Sequence, residues 1–353
     1  MLGRLWKSFR IAAAALIAAV PALAVPPPQP PRVIAVGDLH GDFQVWRDIA
    51  QAAGMVDAHG GWSGGRATLV QVGDVVDREP ESLKIVRDLM RLQKEAARQG
   101  GRVIVLVGNH EAMNMTGDLR YVVPGDFAAF ATRHSAELRE RLFEAKAATI
   151  EAQYRQKNPK MTSAAVRDAW IKATPLGWVE QRLAWNPKGE IGRWVVSNPA
   201  VALVGDSLFV HGGISAETAK TPLRDVNAQV AAALTAMDKS PDSIINSPLG
   251  PLWYRGHLTR DPGVTEIPAK AIRPPIEDEL SRVLKAYGAK RIVVGHTPNL
   301  RGIQLLQGGK LVAIDTGNSR YYGGTPSYLE IIGERVTPHA VARSSGRGGG
   351  GGE

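Results

Sequence analysis

A chain of 353 residues, 44% of them apolar, is long enough to bury a sizeable core in one large domain or two smaller ones. It has no cysteine, which excludes disulfide staples, thiolate metal sites and a cysteine nucleophile. The formal net charge of +9 suits a soluble basic surface or a phosphorylated partner; without a block of five like charges, a stacking platform or a recognition-helix pattern, no nucleic acid is expected.

Arg4, Lys7 and Arg10 precede an apolar run over residues 11–20, and Ala22 and Ala24 supply the small residues that a signal peptidase reads. This predicts a secretory signal over residues 1–24 and an exported protein, periplasmic or secreted. The run falls short of the roughly 20 residues that span a bilayer. Membrane contact is expected only if the signal stays uncleaved as an anchor. A Pro-rich lead-in over residues 25–31 can form neither a helix nor a central strand. A single domain is then predicted over residues 32–340, with a disordered Gly-rich tail over 341–353.

Within that domain, short β-branched runs at 33–36, 68–72, 103–107, 208–210, 292–294 and 311–314 predict strands buried on both faces. Between them, residues 82–99 place Ile85, Val86, Leu89 and Leu92 on one helical face, with Pro80 before the helix and Gly100-Gly101 after it. Strands alternating with helices predict an α/β layered domain, in which ligands gather where strands end. Residues 112–200 predict a helical insertion, with helices over 127–156 and 164–172 and a loop-rich stretch carrying Trp178, Trp185 and Trp194. It would form a cap over the strand ends or cover the edge of the core.

Five strand ends carry polar residues with no packing purpose there. The first runs into Gly37-Asp38-Leu39-His40-Gly41, where Asp38 and His40 can face one point. Asp74 follows the second, and Asp77 and Arg78 stand at the start of the long helix, where amide dipoles favour anions and an arginine can grip phosphate. Helix capping by Asp77 and a solvated Arg78 are the alternatives. Asn109 and His110 follow the third strand, His211 another and His296 the next. Oxygen and imidazole donors without thiolate suit manganese, iron or zinc. Such a set can hold two ions roughly 3.5–4 Å apart, bridged by one aspartate, with a shared water activated as nucleophile.

Gly37-Asp38-Leu39-His40-Gly41, Gly73-Asp74-Val75-Val76-Asp77-Arg78, Gly108-Asn109-His110-Glu111 and His211-Gly212-Gly213, in this order, resemble the signature of the phosphoprotein phosphatase branch of the calcineurin-like metallophosphoesterases. The resemblance spans about residues 33–324. The signal sequence, Asn-Met-Thr-Gly-Asp-Leu-Arg-Tyr at 114–121 and Pro-Leu-Trp-Tyr-Arg-Gly at 251–256 are most similar to the bacterial, Shewanella-like phosphatases. The resemblance implies a central β-sandwich flanked by helices and two divalent metal ions, manganese first, iron or zinc otherwise. Asp38 and His40 would bind one ion, Asp74 would bridge, and Asn109, His211 and His296 would bind the other. His110 would be the general acid, oriented by Asp77; Arg78 and Arg255, together with Asn109, would hold the substrate phosphate. The implied activity is phosphomonoester hydrolysis, of phosphoprotein first, by in-line attack of a hydroxide held between the two metals. Diadenosine polyphosphate or another nucleotide is the alternative substrate. Two departures stand out. Glu79 occupies a position where the family has glycine, and would be strained there if the backbone needs a positive φ. Ile314 to Gly324 replaces the C-terminal loop of the eukaryotic enzymes, leaving open whether Tyr321 or Tyr322 meets substrate.

Overall fold

The computed structural model describes residues 31–267 and 273–344. The signal segment, all but the last residue of the lead-in and residues 345–353 of the tail lie outside them. Among the described residues, no helix is long and apolar enough to cross a membrane.

The described residues form ten strands: β1 (Arg32–Val36), β2 (Thr68–Gln71), β3 (Arg102–Val105), β4 (Val201–Val204), β5 (Ser207–Val210), β6 (Arg291–Val294), β7 (Gln304–Leu306), β8 (Leu311–Ala313), β9 (Ser327–Ile332) and β10 (Arg335–Ala340). They form two five-stranded sheets, ordered β10-β9-β1-β2-β3 and β4-β5-β6-β8-β7. The centres of both are parallel: β1 pairs with β2 and β2 with β3, and β5 pairs with β6 and β6 with β8. The antiparallel strands lie to the outside of these trios.

Side chains alternate across a strand, so each apolar run feeds two layers. Val33, Ala35, Val70, Phe209, Val293 and Val312 meet in one apolar cluster between the sheets. Their neighbours Ile34, Val36, Leu69, Leu208, Val210 and Ile292 join the helices in a second, larger cluster. This is why the runs read as continuously apolar, and it yields the β-sandwich flanked by helices. In the helix α2 (Ser82–Arg98), which follows α1 (Phe43–Ala52), the predicted face Ile85, Val86, Leu89 and Leu92 is fully buried.

Sequence reading missed β4, β7, β9 and β10. β7 and β10 are half exposed, and β10 carries Pro338, which a sheet tolerates only at an edge. After α3 (Asn109–Thr116), the predicted helix over 127–156 is two helices, α4 (Pro124–Ala128) and α5 (Ser135–Lys157). The break falls where the Ser135 hydroxyl accepts from the Thr132 amide at 2.8 Å, a local bond that competes with helix continuation. α6 (Ser163–Ala173) packs on α5 around Phe143, Ile150 and Val166. The tryptophan stretch is not loop-rich: it folds as α7 (Trp178–Ala184) and α8 (Glu190–Ser197), and Trp185 and Trp194 are buried in the main core.

Phe209, with no exposed surface, joins the two sheets. Phe209→Ala should cost about 3–5 kcal/mol of unfolding free energy in a guanidinium titration; a cost under about 1 kcal/mol would mean that the interior is not packed as described.

A candidate metal centre at six strand ends

Both parallel trios finish level. Val36, Gln71 and Val105 are register partners in one sheet, as are Val210, Val294 and Ala313 in the other. The turns that follow therefore emerge side by side. They carry Asp38 and His40 after β1, Asp74 after β2, Asn109 after β3, His211 after β5, His296 after β6 and Asp315 after β8, all buried. Close approach demands glycine beside the acids: a Cβ on Gly108 would lie 2.2 Å from Asp74 Oδ1, and one on Gly295 would lie 2.4 Å from Asp38 Oδ1.

The hydrogen bonds at the rim of this cluster leave its centre lined by lone pairs. His211 Nδ1 meets the Val72 carbonyl at 2.9 Å and His40 Nδ1 meets the Val76 carbonyl at 3.2 Å. Each bond requires the proton on Nδ1, so each Nε2 presents a lone pair inward. His211 Nε2 then faces Asn109 Oδ1 at 2.9 Å and Asp74 Oδ2 at 3.3 Å. His40 Nε2 lies 3.9 Å from both Asp38 Oδ2 and Asp74 Oδ2. His296 Nε2 is buried with no protein partner, while its backbone amide donates to both Asp38 oxygens at 3.2 Å. Donor atoms of Asp74, His211 and His296 lie within 4.8 Å of one another, and so do those of His40, Asp74 and His110. Acceptors converging on acceptors in this way fit divalent cations.

The electrostatics agree. Burial, then the charges of Asp315 and Asp74, hold Asp38 well above the usual carboxylate range. Burial pushes Asp315 up to about 6 and, with Asp74, pushes Glu111 up to about 7. Asp74 alone stays well below: burial opposes its charge, but His211, His110 and His40 outweigh it. Burial and His110 bring His40 down to about 3. Burial and His211 hold His296 well below its ordinary value. Burial thus favours the neutral imidazole at His40 and His296, the form that can ligate a cation.

Five site residues adopt left-handed backbone: His40 (φ 44°), Asp74 (54°), Asp77 (71°), Arg78 (72°) and His296 (66°). Such conformations cost of order 1 kcal/mol or more each outside glycine. Cross-turn bonds hold them. The Asp74 carbonyl accepts from Leu39 N and His40 N, and Arg78 N donates to the Tyr121 carbonyl at 3.1 Å. Glu79 is not among the positive-φ residues, so the strain expected of it falls on Asp77 and Arg78 instead. Its half-buried carboxyl is raised by burial and by Asp42.

His110 sits at the mouth of the cluster. Its Nδ1 bonds Asp77 Oδ2 at 2.7 Å, and its Nε2 lies 3.8 Å from Asp74 Oδ2. Burial would lower its pKa, but Asp74 and Asp77 raise it. The Arg78 guanidinium lies between two rings, 3.8 Å from the centroid of Tyr121 and 4.8 Å from that of Tyr321, and donates to the Tyr321 hydroxyl at 3.1 Å. Tyr121 stacks on His110 at 5.0 Å and Tyr322 lies 5.2 Å from His40, so an aromatic collar surrounds the opening. Asp42 fixes the loop carrying Tyr321 and Tyr322 by accepting from Arg320 N at 2.9 Å. Arg255 is half-buried; burial lowers its pKa while the charges of Glu266, Asp74 and Asp38 raise it. Its segment is anchored where Gly212 N donates to the Pro251 carbonyl at 2.9 Å.

Sequence reasoning assigned no role to three residues that matter here. The Glu111 carboxylate accepts from Asp74 N, Val75 N and Gly108 N, at 2.9, 2.9 and 2.8 Å, and so locks two turns together. Asp315 follows a parallel strand just as Asp74 does, which was a usable signal. Asn318 Nδ2 donates to the Asp38 carbonyl at 3.0 Å, and no local pattern announces it.

The family model for calcineurin-like phosphoesterases matches residues 31–300. The chain is 32% identical to Shewanella-like protein phosphatase 2 of Arabidopsis thaliana, over 86% of this chain and 75% of that one. It is 28% identical to Shewanella-like protein phosphatase 1 of Plasmodium berghei, over 86% and 73%. A solved structure of the cold-active protein-tyrosine phosphatase of a psychrophilic Shewanella species superposes with a TM-score of 0.63 and 25% identity, covering 88% of this chain and 80% of that one. The chain belongs to the calcineurin-like phosphoesterase family, among relatives of the Shewanella-like protein phosphatases, and is a metal-dependent phosphatase.

Proposed function

We propose that the chain hydrolyses phosphomonoesters on proteins, with phosphotyrosine the favoured side chain, by one transfer of the phosphoryl group to water. The observation that carries hydrolysis is the convergence of Asp38, His40, Asp74, Asn109, His211 and His296 with their lone pairs inward. Asp38, His40 and Asp74 would hold one divalent ion, and Asp74, Asn109, His211 and His296 the other; the oxygen and imidazole donors suit manganese first, then iron or zinc. Such ions supply positive charge to the phosphoryl oxygens and acidify the attacking water.

The chain's own groups do the rest. Arg78, preset between Tyr121 and Tyr321, grips the phosphate, and Arg255 adds charge from the opposite strand ends. His110, held through Nδ1 by Asp77, gives its Nε2 proton to the ester oxygen as the phosphorus–oxygen bond breaks. Phosphotyrosine is supported by the collar, since an aryl ester can stack against Tyr121 and Tyr322 where an alkyl ester cannot. It is supported too by the tyrosine phosphatase named for the superposed structure.

Turnover of phosphotyrosyl, phosphoseryl and phosphothreonyl peptides and of diadenosine tetraphosphate, side by side, tests the substrate. Phosphotyrosine should lead in kcat/KM by about tenfold, roughly one aromatic contact; preference for the dinucleotide would overturn the reading. Asp74→Asn should lower activity by about a thousandfold and release metal together, as metal analysis and turnover would show; full turnover by metal-free protein would contradict it. Tyr321→Phe frees only the Arg78 guanidinium. It should raise KM by about two- to tenfold and leave kcat nearly unchanged in steady-state assays.

A further inference from the structure

Behind the His110–Asp77 pair lies another buried carboxylate, Asp126 of α4, 5% exposed. Its Oδ1 accepts from Ser82 N, at the start of α2, at 3.3 Å. The Ser82 hydroxyl accepts from Asp77 N at 3.0 Å. Asp77 is the residue whose left-handed backbone aims Oδ2 at His110 Nδ1, and its Oδ1 accepts from Asn114 Nδ2 at 2.9 Å. Asp126 Oδ2 is buried without a hydrogen-bond partner. Asp126 also lines a cavity of about 10 Å³, with Asp77, Ser82, Asn114, Gln181 and Trp185. That is the space of one water. Asp77 is the charged group facing Asp126: α2 presents Ser82, Leu83 and Val86, α3 presents Asn114, and α7 presents Gln181. Burial, with Asp77 adding to it, pushes the Asp126 carboxyl up to about 7.

A carboxylate with no cation opposite it is an expensive way to fill a core. Capping of α2 would be one use, since Glu81 at its N-cap makes no side-chain bond. Capping alone does not explain why the same serine holds the Asp77 amide. We propose that Asp126 is a positioning residue for the general acid: it fixes Ser82, Ser82 fixes the strained Asp77 backbone, and Asp77 fixes His110. α4 is held for this task at close range, because a Cβ on Gly125 would lie 2.3 Å from Pro80 Cβ, beside the turn that carries Asp77.

This inference rests on His110 acting as the acid, and a leaving-group comparison separates the two ideas. The metal-loaded enzyme is assayed on a phosphotyrosyl peptide, whose leaving phenol has a pKa of roughly 10, and on 4-nitrophenyl phosphate, whose leaving group needs little protonation. Metal content is measured for every variant. His110→Ala should lose about a hundredfold or more in kcat on the peptide and far less on the nitrophenyl ester. Asp126→Ala should show the same asymmetry in smaller form, about tenfold against about twofold, with KM and metal content unchanged. Asp126→Asn keeps an oxygen for Ser82 N and should recover most of the loss. Equal losses on both esters in Asp126→Ala, or none, alongside an asymmetric His110→Ala, overturn the positioning role. A symmetric His110→Ala overturns the acid reading itself. Should Asp126→Ala fail to fold, Ser82→Ala carries the test, with the same asymmetry expected and equal losses overturning the role.

Discussion

Everything at this site depends on acceptors being forced together. Three parallel strands of each sheet stop level, so their turns deliver carboxylate, amide and imidazole groups to one small volume. Once the His40 and His211 rings spend their Nδ1 protons on backbone carbonyls, their Nε2 lone pairs join the carboxylate and amide oxygens that face this volume. A buried surplus of acceptors over donors is costly unless a cation satisfies it. The hydrogen bonds at the rim, as much as the identity of the inward-facing residues, suit this cluster to cations.

The same constraint accounts for the strained backbone. An ordinary turn would not direct His40, Asp74 and His296 at one point, and each adopts a left-handed φ. The sandwich beneath supplies the rigidity, because its strands are anchored on both faces by separate apolar layers. Glu111 then ties the Asp74 turn to the start of α3 through three amides. Strain concentrated where chemistry occurs, with packing around it to hold it in place, is the arrangement expected of a preorganised site.

Much of this was legible in the sequence for a physical reason. Strands buried on both faces must be apolar throughout, so 33–36, 68–72 and 292–294 stood out, and so did polar residues immediately beyond them. β7 and β10 were illegible because a half-exposed edge strand need not be apolar. The five turns that carry the candidate ligands were visible as glycine-flanked Asp, Asn and His. Asp315 follows β8 in the same manner but stands between Ile314 and Thr316, without the adjacent glycine that marks the others. The aromatic clamp on Arg78 could not be read at all. It joins Tyr121 and Tyr321, residues 200 apart in the chain, through contacts that only the folded loops create. Glu79 misled for a related reason: a motif shows which residue is present, while the φ that matters belongs to its neighbours.

Charge also divides the site into two halves with different tasks. The inner half, around Asp38, Asp74, Glu111 and Asp315, is rich in buried carboxyl groups whose charge is costly until a positive partner is present, and suits cations. The outer half presents Arg78 and Arg255, and suits an anion. A phosphoryl group at the boundary would have positive charge on both sides once the inner half is filled, and on one side only if it is not. Anion binding and cation binding are therefore coupled by simple electrostatics, with no moving part required. His110 sits on that boundary, bonded to Asp77 on one side and facing Asp74 on the other. In the proposed mechanism that is where a proton would cross from enzyme to leaving group, and its placement follows from the same level strand ends that gather the candidate ligands.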